Sequence, residues 1–575
     1  MKKIVYTIAT MALVFVGYIL ANKAIEKEPK VSSQLAYNFV KCTPSKFLLE
    51  GVDTTKQISP LFNNLGNLSF KITTANDRAQ AFFNQGLKLS YAFNHAEGHR
   101  SFMEASRLEP DAAMTYWGQA FALGPNINDT QPDDERKQKC NEAIAKAKSL
   151  ASSATSKEQA LINALAERYS EDLTKDVGEL NMSYMKAMTK VSQRFPDDAN
   201  IQILYAASVM NTVPWNYWDK EGNPSPNIKE AKAALEKAMK LKPENPGGHH
   251  YYIHMVELPY PDLGVPSADK LASLMPGAGH IVHMPSHIYI RVGRYKDAVK
   301  VNQAAILADE DYISQCFSQG LYPLAYYPHN IHFLWSSASL LGGSKIAIDA
   351  AKKTAEKVPV GELVQLPFLQ DFAATPLLAY TRFGKWNEIL SIPAPSADIK
   401  HLNLIQHYAR GIAFIRKGNI KEAQEELDAI KTLKNDPELE NLVATANNTS
   451  VTIASIAYEV VAGELKALKG DLPGAIKHLK NAVINEDKLI YTEPAAWHIP
   501  TRQNLGAVLM KAEKYEEAER IYKEDLAVLR QNGWSLMGLY KAYTAQGKNV
   551  EARKIKREFD NAWKDSDIKI SSSIL

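Results

Sequence analysis

The sequence predicts an all-α fold in which pairs of helices stack on one another as an α-solenoid. From about residue 76 onward, alanine-rich amphipathic stretches alternate with short breaks that contain Gly, Pro, Asn or Asp. Apolar residues recur there with the period of a helix, whereas runs with the two-residue period of a strand do not recur. Small residues also return at constant offsets, which indicates that one helix pair is repeated along the chain.

The N-terminal 30 residues are predicted to lie outside this fold. Two lysines precede residues 4–21, which carry no charge, and a polar stretch follows. This order is typical of an export signal or a signal anchor, and the apolar run is just long enough to span a bilayer. We therefore expect export to the cell envelope, either as a single-pass membrane protein or as a cleaved periplasmic protein. Residues 31–75 are predicted to be an N-terminal linker segment.

The repeated unit is clearest near the C-terminus. Gly463 permits a close contact between helices, Gly470 lies in a turn, and one face of a second helix is lined by Ala475, Leu479 and Ala482. Three further units carry residues at matching offsets: Gly411, Gly418, Ala423 and Leu427; Gly506, Ala518 and Tyr522; and Gly86, Phe102 and Ala105. In the unit that contains Gly506, the turn glycine is replaced by Glu513.

This unit resembles the tetratricopeptide repeat family, whose repeat is 34 residues long. Ala518 and Ala552 are 34 residues apart, but the spacing is 43 from Ala475 to Ala518, so some units are degenerate. The resemblance extends to bacterial envelope proteins of unassigned activity and implies a right-handed superhelix with a concave groove. We predict one solenoid with a histidine-rich groove over residues 76–365, a second over 366–565 and a tail over 566–575.

Histidine is concentrated in one part of the chain, since eight of the 14 histidines lie between residues 249 and 332. His280, His283 and His287 share a face if one helix contains them, although Pro285 would kink or begin a helix between them. The family register implies that these three face the groove.

Two interpretations of the histidines remain open. In the first, polar and aromatic side chains line a groove that binds a protein or peptide partner. Its candidate residues are His280, His283, His287, His329, His332, Tyr289, Trp215 and Trp218. In the second, imidazoles and one carboxylate hold a transition metal such as Zn or Cu. Its candidate ligands are His250, His254, Glu257, His280, His283 and His287.

Other functions have little support in the sequence. The formal charge is +3, from 67 basic and 64 acidic residues without long basic runs, so nucleic acid is not an expected partner. The three cysteines are far apart and form no CxxC motif. HAEGH at 95–99 is not a zinc-protease motif, because Glu97 is two residues after His95 instead of one.

The sequence therefore favours an exported repeat scaffold that binds a protein or peptide in its groove and requires no cofactor. Its membrane contact would be made through the N-terminal segment. No catalytic residue is predicted. The alternative is a histidine-rich metal-binding protein of the envelope, or a metal-dependent enzyme built on the same residues.

Overall fold

The computed structural model describes residues 55–219, 221–315, 322–445 and 448–575. The predicted export segment and the first part of the predicted linker lie outside these ranges. The described chain forms two compact units: residues 55–288 with 304–327, called the first unit, and residues 289–303 with 328–575, called the second unit. Within the described ranges, no helix is long and apolar enough to cross a bilayer.

The first unit is built from helices joined by short turns. Its α-helices are Asp77–Tyr91, His95–Leu108, Ala113–Leu123, Asp134–Leu150, Ser156–Ala166, Val177–Arg194, Ala199–Met210, Ile228–Leu241, Pro246–Val256, Pro261–Leu274 and Gly279–His283. A 3₁₀ turn covers Ala151–Ser153, and a π turn covers Tyr322–Tyr326. Three helices contain the points at which the chain passes between units: Pro285–Val292, Tyr295–Gln315 and Tyr327–Leu341.

The second unit is also helical, with one short hairpin. Its remaining α-helices are Ser344–Glu356, Phe368–Arg382, Trp386–Ser391, Lys400–Arg416, Ile420–Lys434, Glu438–Asn441, Ser450–Leu468, Leu472–Glu486, Thr501–Lys511, Tyr515–Val528, Gly533–Ala545 and Asn549–Ala562. A 3₁₀ turn covers Val360–Glu362. The strands Val443–Thr445 and Asn448–Thr449 pair antiparallel. The predicted boundary between residues 365 and 366 falls inside this unit.

Several helices begin where the sequence supplies a side chain that caps them. The Asn76 carboxamide accepts hydrogen bonds from the backbone N–H groups of Arg78 and Ala79. Thr155 and Glu158 form a reciprocal capping box at Ser156–Ala166. These caps satisfy backbone donors that a helix start would otherwise leave without acceptors.

The turns confirm the positions predicted for the repeat glycines. Gly418 and Gly470 have φ angles of 78° and 85°, in the left-handed region that a glycine enters without steric cost. Glu513, which replaces the glycine at the equivalent turn, has a φ angle of 58°. The backbone conformation of the repeat is therefore kept at this turn, although glutamate fits that conformation poorly.

The small residues in the first helix of each pair allow close packing, as the repeat pattern predicts. A Cβ at Gly463 would lie 2.7 Å from Leu479 Cγ, and one at Gly506 would lie 2.4 Å from Tyr522 Cε1. A Cβ at Gly86 would likewise lie 2.7 Å from the ring of Phe102. Each pair is separated by 16 residues, so the predicted register is confirmed, and with it the all-α fold of tetratricopeptide-like helix pairs.

The segments flanking the repeats pack against them within their own units. Of the predicted linker, residues 55–75 run along the first helix pair, where Ile58 N–H donates to Glu104 and Phe62 N–H donates to Gln85. In the tail, Asp567 accepts from the N–H groups of Ser344 and Lys345. These hydrogen bonds tie both segments to the helices.

Candidate metal centre

Helix Pro246–Val256 carries the first half of the site. Asn245 caps this helix and Pro246 occupies its first turn, so its start is well defined. His250 and His254 are one turn apart and share a face, and Glu257 follows at the helix end. The three side chains are buried, with exposures of 0%, 3% and 2%. Polar groups buried to this extent need partners.

The second half comes from the segment with three histidines. The chain forms a short helix, Gly279–His283, and Pro285 begins another, so the proline starts a helix and does not kink one. His280, His283 and His287 are all buried. Gly279 permits this approach, because a Cβ there would lie 1.8 Å from Asp309 Oδ1.

Three imidazoles converge at the centre of the site. One ring nitrogen from each of His250, His254 and His280 can be chosen so that all three lie within 4.8 Å of one another. The ring centroids are 4.9 Å apart for His250 and His254, and 5.0 Å apart for His250 and His280. Nitrogens at such separations can ligate one ion. We call these residues the histidine trio.

Hydrogen bonding fixes which nitrogen of His250 faces the site. Its Nδ1 lies 2.5 Å from the carbonyl oxygen of Tyr91. Because a carbonyl only accepts, Nδ1 carries the proton and Nε2 carries the lone pair. Nε2 has no hydrogen-bond partner among the described residues. A backbone acceptor behind an imidazole is the usual way in which proteins orient a metal-binding histidine.

His254 lies beside the carboxylate of Glu257. Its Nδ1 lies 3.7 Å from Glu257 Oε1, while the other carboxylate oxygen of Glu257 lies 2.8 Å from His287 Nδ1. Burial alone would raise the pKa of Glu257, but the two imidazoles beside it outweigh burial and lower that pKa. An ionised carboxylate next to the trio places negative charge where a cation would lie.

His283 and His287 extend this polar chain. Their Nε2 atoms are 3.0 Å apart, and the hydroxyl of Ser286 lies 3.3 Å from His283 Nδ1. The ring centroids of His254 and His287 are 5.6 Å apart, and those of His280 and His283 are 5.9 Å apart. All six predicted metal-binding residues are therefore neighbours, with three forming the trio and three adjoining it.

Burial also sets the protonation of His250 and His254. It lowers the pKa of His254, and it lowers the pKa of His250 well below the ordinary value. Both imidazoles are therefore neutral at pH 7, which is the form that ligates metals.

Aromatic side chains enclose the trio. The Phe93 ring lies 4.5 Å from that of His250 and 5.4 Å from that of His280. Trp215 packs edge-on at 5.0 Å from His254, and Tyr326 packs at 5.3 Å from His280. This wall excludes water from the ring nitrogens and strengthens electrostatic interactions there.

Asn128 joins two members of this wall. Its side-chain nitrogen donates to Tyr326 Oη over 3.2 Å, and its oxygen accepts from Trp215 Nε1 over 3.2 Å. The sequence did not indicate Asn128, Tyr91 or Phe93 as site residues. Each is distant along the chain from the histidines and carries no motif, so only the packing of the first unit reveals its role.

The residues predicted for the groove are mostly buried. In the first unit Trp215 is 41% exposed, and Trp218 donates from Nε1 to the carbonyl of Met255. In the second unit Tyr289 and His332 are buried, and His329 is partly buried. Together with the buried His280, His283 and His287, five of the eight residues offer a partner no surface in this conformation. A partner in the groove stays a prediction.

His95 is not among the residues whose ligand atoms converge in the trio. It begins helix His95–Leu108, and its ring stacks on Phe93. Glu97 pairs with Arg100 and accepts a hydrogen bond from Ser59, so its carboxylate is engaged. Burial lowers the pKa of His95 to about 4.

No family model and no curated protein matches the chain. Among solved structures it is similar to the human IFIT1 dimer with m7Gppp-AAAA, at 12% identity and a TM-score of 0.32, over 79% of this chain and 90% of that chain. It is also similar to the APC/C hetero-tetramer Cut9–Hcn1, at 12% identity and a TM-score of 0.29, over 85% of this chain and 94% of that chain. It is similar to yeast Tom70 at 12% identity and a TM-score of 0.25, over 84% of this chain and 93% of that chain. Similarity at this level does not extend to ligands or activity.

Proposed function

We propose that this protein binds a transition-metal ion through the imidazoles of His250, His254 and His280. The convergence of these three buried side chains within 4.8 Å carries the proposal. Leaving a buried polar nitrogen without a partner costs roughly 1–3 kcal/mol. His250 Nε2 and both ring nitrogens of His254 have no hydrogen-bond partner among the described residues. A bound cation would take one lone pair from each imidazole and offset part of that cost.

The donor set favours a borderline metal. Neutral imidazoles suit Zn²⁺ and Cu²⁺ better than Ca²⁺ or Mg²⁺, which prefer oxygen ligands. Three protein nitrogens leave a coordination position for another ligand. The ionised Glu257 next to His254 adds the negative charge that a divalent cation requires.

The test is metal content and affinity in the full chain purified without a histidine tag. We expect about one Zn²⁺ or Cu²⁺ per chain by elemental analysis, and a loss of affinity of about tenfold or more in His254→Ala and His280→Ala. His249→Ala is the matched control. His249 neighbours His250, but its ring hydrogen-bonds Ser267 and the Pro243 carbonyl.

Circular dichroism would verify that each variant remains folded. A parent protein that takes up neither metal at micromolar concentration would contradict the proposal. So would a folded triple variant of the trio that keeps the parent's metal content.

Protein binding by the helical repeats is the second candidate. Helix-pair repeats commonly present surfaces for protein partners, and Trp215 exposes 41% of its surface beside the trio. A photo-crosslinking residue at position 215 would capture a specific partner that the same residue at Leu307, which is 67% exposed, does not capture. Equal products from both positions would argue against it.

We also propose that the chain is exported through residues 1–30. The uncharged run at 4–21 between polar flanks supports this location. Cell fractionation with N-terminal sequencing of the mature protein would distinguish an anchor from a cleaved signal. Recovery of the intact chain in the cytosol would refute export.

A further inference from the structure

The second unit contains another buried polar cluster, which lies outside the candidate metal centre. Helix Tyr327–Leu341 contributes Trp335, helix Phe368–Arg382 contributes Arg382, and the connection before Thr501 contributes Trp497 and His498. Trp335, Arg382 and Trp497 are 3%, 4% and 2% exposed. The His498 ring lies 6.4 Å from that of Trp335 and 5.5 Å from that of Trp497. Burial and the charge of nearby Arg382 lower the pKa of His498 well below its ordinary value, which places Arg382 beside the three rings. We call these four residues the donor cluster.

Each residue of the donor cluster buries a nitrogen that has no hydrogen-bond partner among the described residues. The atoms are Nε1 of Trp335 and Trp497, Nη2 of Arg382 and both ring nitrogens of His498. Indole and guanidinium nitrogens can only donate. Burying several unsatisfied donors in one place is costly, because each forgoes its hydrogen bond to water. The group therefore requires an acceptor.

Arg382 supplies a positive charge to the cluster. It donates to Gln503 Oε1 over 2.8 Å and lies over the ring of Trp534 at 3.6 Å. It forms no ion pair with a described carboxylate. Asp525 is reached only through Gln503, whose Nε2 donates to it over 3.1 Å. Burial lowers the pKa of Arg382 to about 9, so the group is still charged at pH 7.

Other aromatic rings give the cluster apolar walls. His332 stacks on Trp335 at 4.8 Å, and Tyr408 packs on Trp497 at 4.9 Å. Asp371, whose charge acts on the His332 ring, lies 3.7 Å from His401 Nε2. The surroundings thus combine donors, one cation and flat apolar surfaces, which suit an organic anion better than a metal ion.

An insertion in the repeat builds one side of this cluster. The spacing of 43 residues between Ala475 and Ala518 exceeds the family repeat of 34. The additional chain lies between helices Leu472–Glu486 and Thr501–Lys511 and includes Trp497 and His498. Asn448 holds this connection through two hydrogen bonds to the backbone of Ile490. The additional residues in this repeat therefore place the side chains of Trp497 and His498 against the helices.

We propose that the donor cluster binds the carboxylate of an organic acid. Arg382 Nη2 would pair with the carboxylate, a neighbouring N–H group of the cluster would add a hydrogen bond, and the surrounding rings would pack on the apolar body of the ligand. The acid is either a free small molecule or the C-terminus of a peptide. This inference is independent of metal binding.

Calorimetric titration of the full chain tests this proposal. The probes are 4-phenylbutyrate, its amide, a dipeptide ending in phenylalanine, the amidated dipeptide and inorganic phosphate. We expect one of the two acids to bind with a dissociation constant below about 1 mM, and its amide to bind at least about tenfold more weakly. Preference for the peptide acid over phenylbutyrate would identify a chain terminus as the source.

Variants locate the binding to the cluster. Arg382→Gln should weaken binding of the acid about tenfold or more, and Trp335→Phe, which removes an N–H but keeps an aromatic ring, about threefold or more. Arg410→Gln is the control, since Arg410 already pairs with Glu426. If Arg382→Gln fails to fold, the affinity of Trp335→Phe for the acid still tests whether the acid binds at the donor cluster.

Three results would overturn the proposal. The first is that neither acid binds with a dissociation constant below about 1 mM, which would leave buried water as the acceptor. The second is equal binding of an acid and its amide. The third is phosphate binding as tightly as both acids, which would show that the aromatic walls contribute nothing.

Discussion

Tyr522 is held between two glycines, and this arrangement gives a sharp test of the repeat packing. A Cβ at Gly538 would lie 2.2 Å from Tyr522 Cζ, and one at Gly506 would lie 2.4 Å from Cε1 of the same ring. The Tyr522 hydroxyl lies 2.9 Å from Ser573 Oγ, which fixes the far end of the side chain. The ring is 1% exposed, so it has no room to move away from an added methyl group.

The perturbation is Gly538→Ala. An extra methyl group in a tightly packed core costs about 1–3 kcal/mol, and a carbon 2.2 Å from an immobile ring belongs at the upper end. Alanine is favoured over glycine inside a helix by about 1 kcal/mol, and this gain opposes the clash. We therefore expect a net loss of about 1–2 kcal/mol in the free energy of unfolding.

Urea denaturation followed by circular dichroism measures this loss. Gly361→Ala is the control, because a Cβ at that exposed position would have no neighbour within 4 Å, and it should leave stability unchanged or slightly raised. A Gly538→Ala protein as stable as the parent would show that the ring can shift. The close approach of these helices would then not be required by the packing of Tyr522.

Three further predictions concern stability. Burial raises the pKa of Glu486 to about 7 from an ordinary value of 4.5, so the folded state favours the protonated acid. Stability should fall by at most about 3 kcal/mol between pH 4.5 and 7, and Glu486→Gln should abolish that fall in urea titrations at several pH values. Phe102→Ala removes a fully buried ring and should lower the free energy of unfolding by about 3–5 kcal/mol in the same assay. A loss below about 1 kcal/mol would show that the neighbouring side chains move in to fill the cavity. Glu513→Gly should raise the melting temperature, because glycine adopts the left-handed conformation without the steric cost that glutamate incurs. The greater entropy of the unfolded chain opposes this gain by about 1 kcal/mol or less. A lower melting temperature would mean that the turn is not strained.

Much of the candidate metal centre could be predicted from the sequence. The i, i+4 spacing of His250 and His254 places both on one helix face whatever the rest of the chain does. The pairing of that face with His280 could not be predicted in the same way. It depends on how helix Gly279–His283 packs, and Gly279 allows its close approach to Asp309.

The prediction that the histidines line an open groove rested on the family register. That register indicates the direction in which a side chain leaves its own helix. It does not indicate whether other parts of the chain pack over that side chain. In the first unit, Phe93 and Tyr326 cover the trio, and both come from chain segments distant in sequence. Burial at a site depends on such nonlocal contacts, which periodicity does not report.

The sequence by itself determined the helices, their pairing and the turns, because these follow from local periodicity, caps and small residues at fixed offsets. Even Glu513 adopts the turn conformation that the neighbouring repeats assign to glycine. Only the tertiary structure decided which buried polar groups come together in space. The histidine trio joins residues about 30 positions apart, and the donor cluster joins Trp335 to Trp497 through His498. Such groupings depend on how several helices pack together, and no local pattern in the chain encodes them.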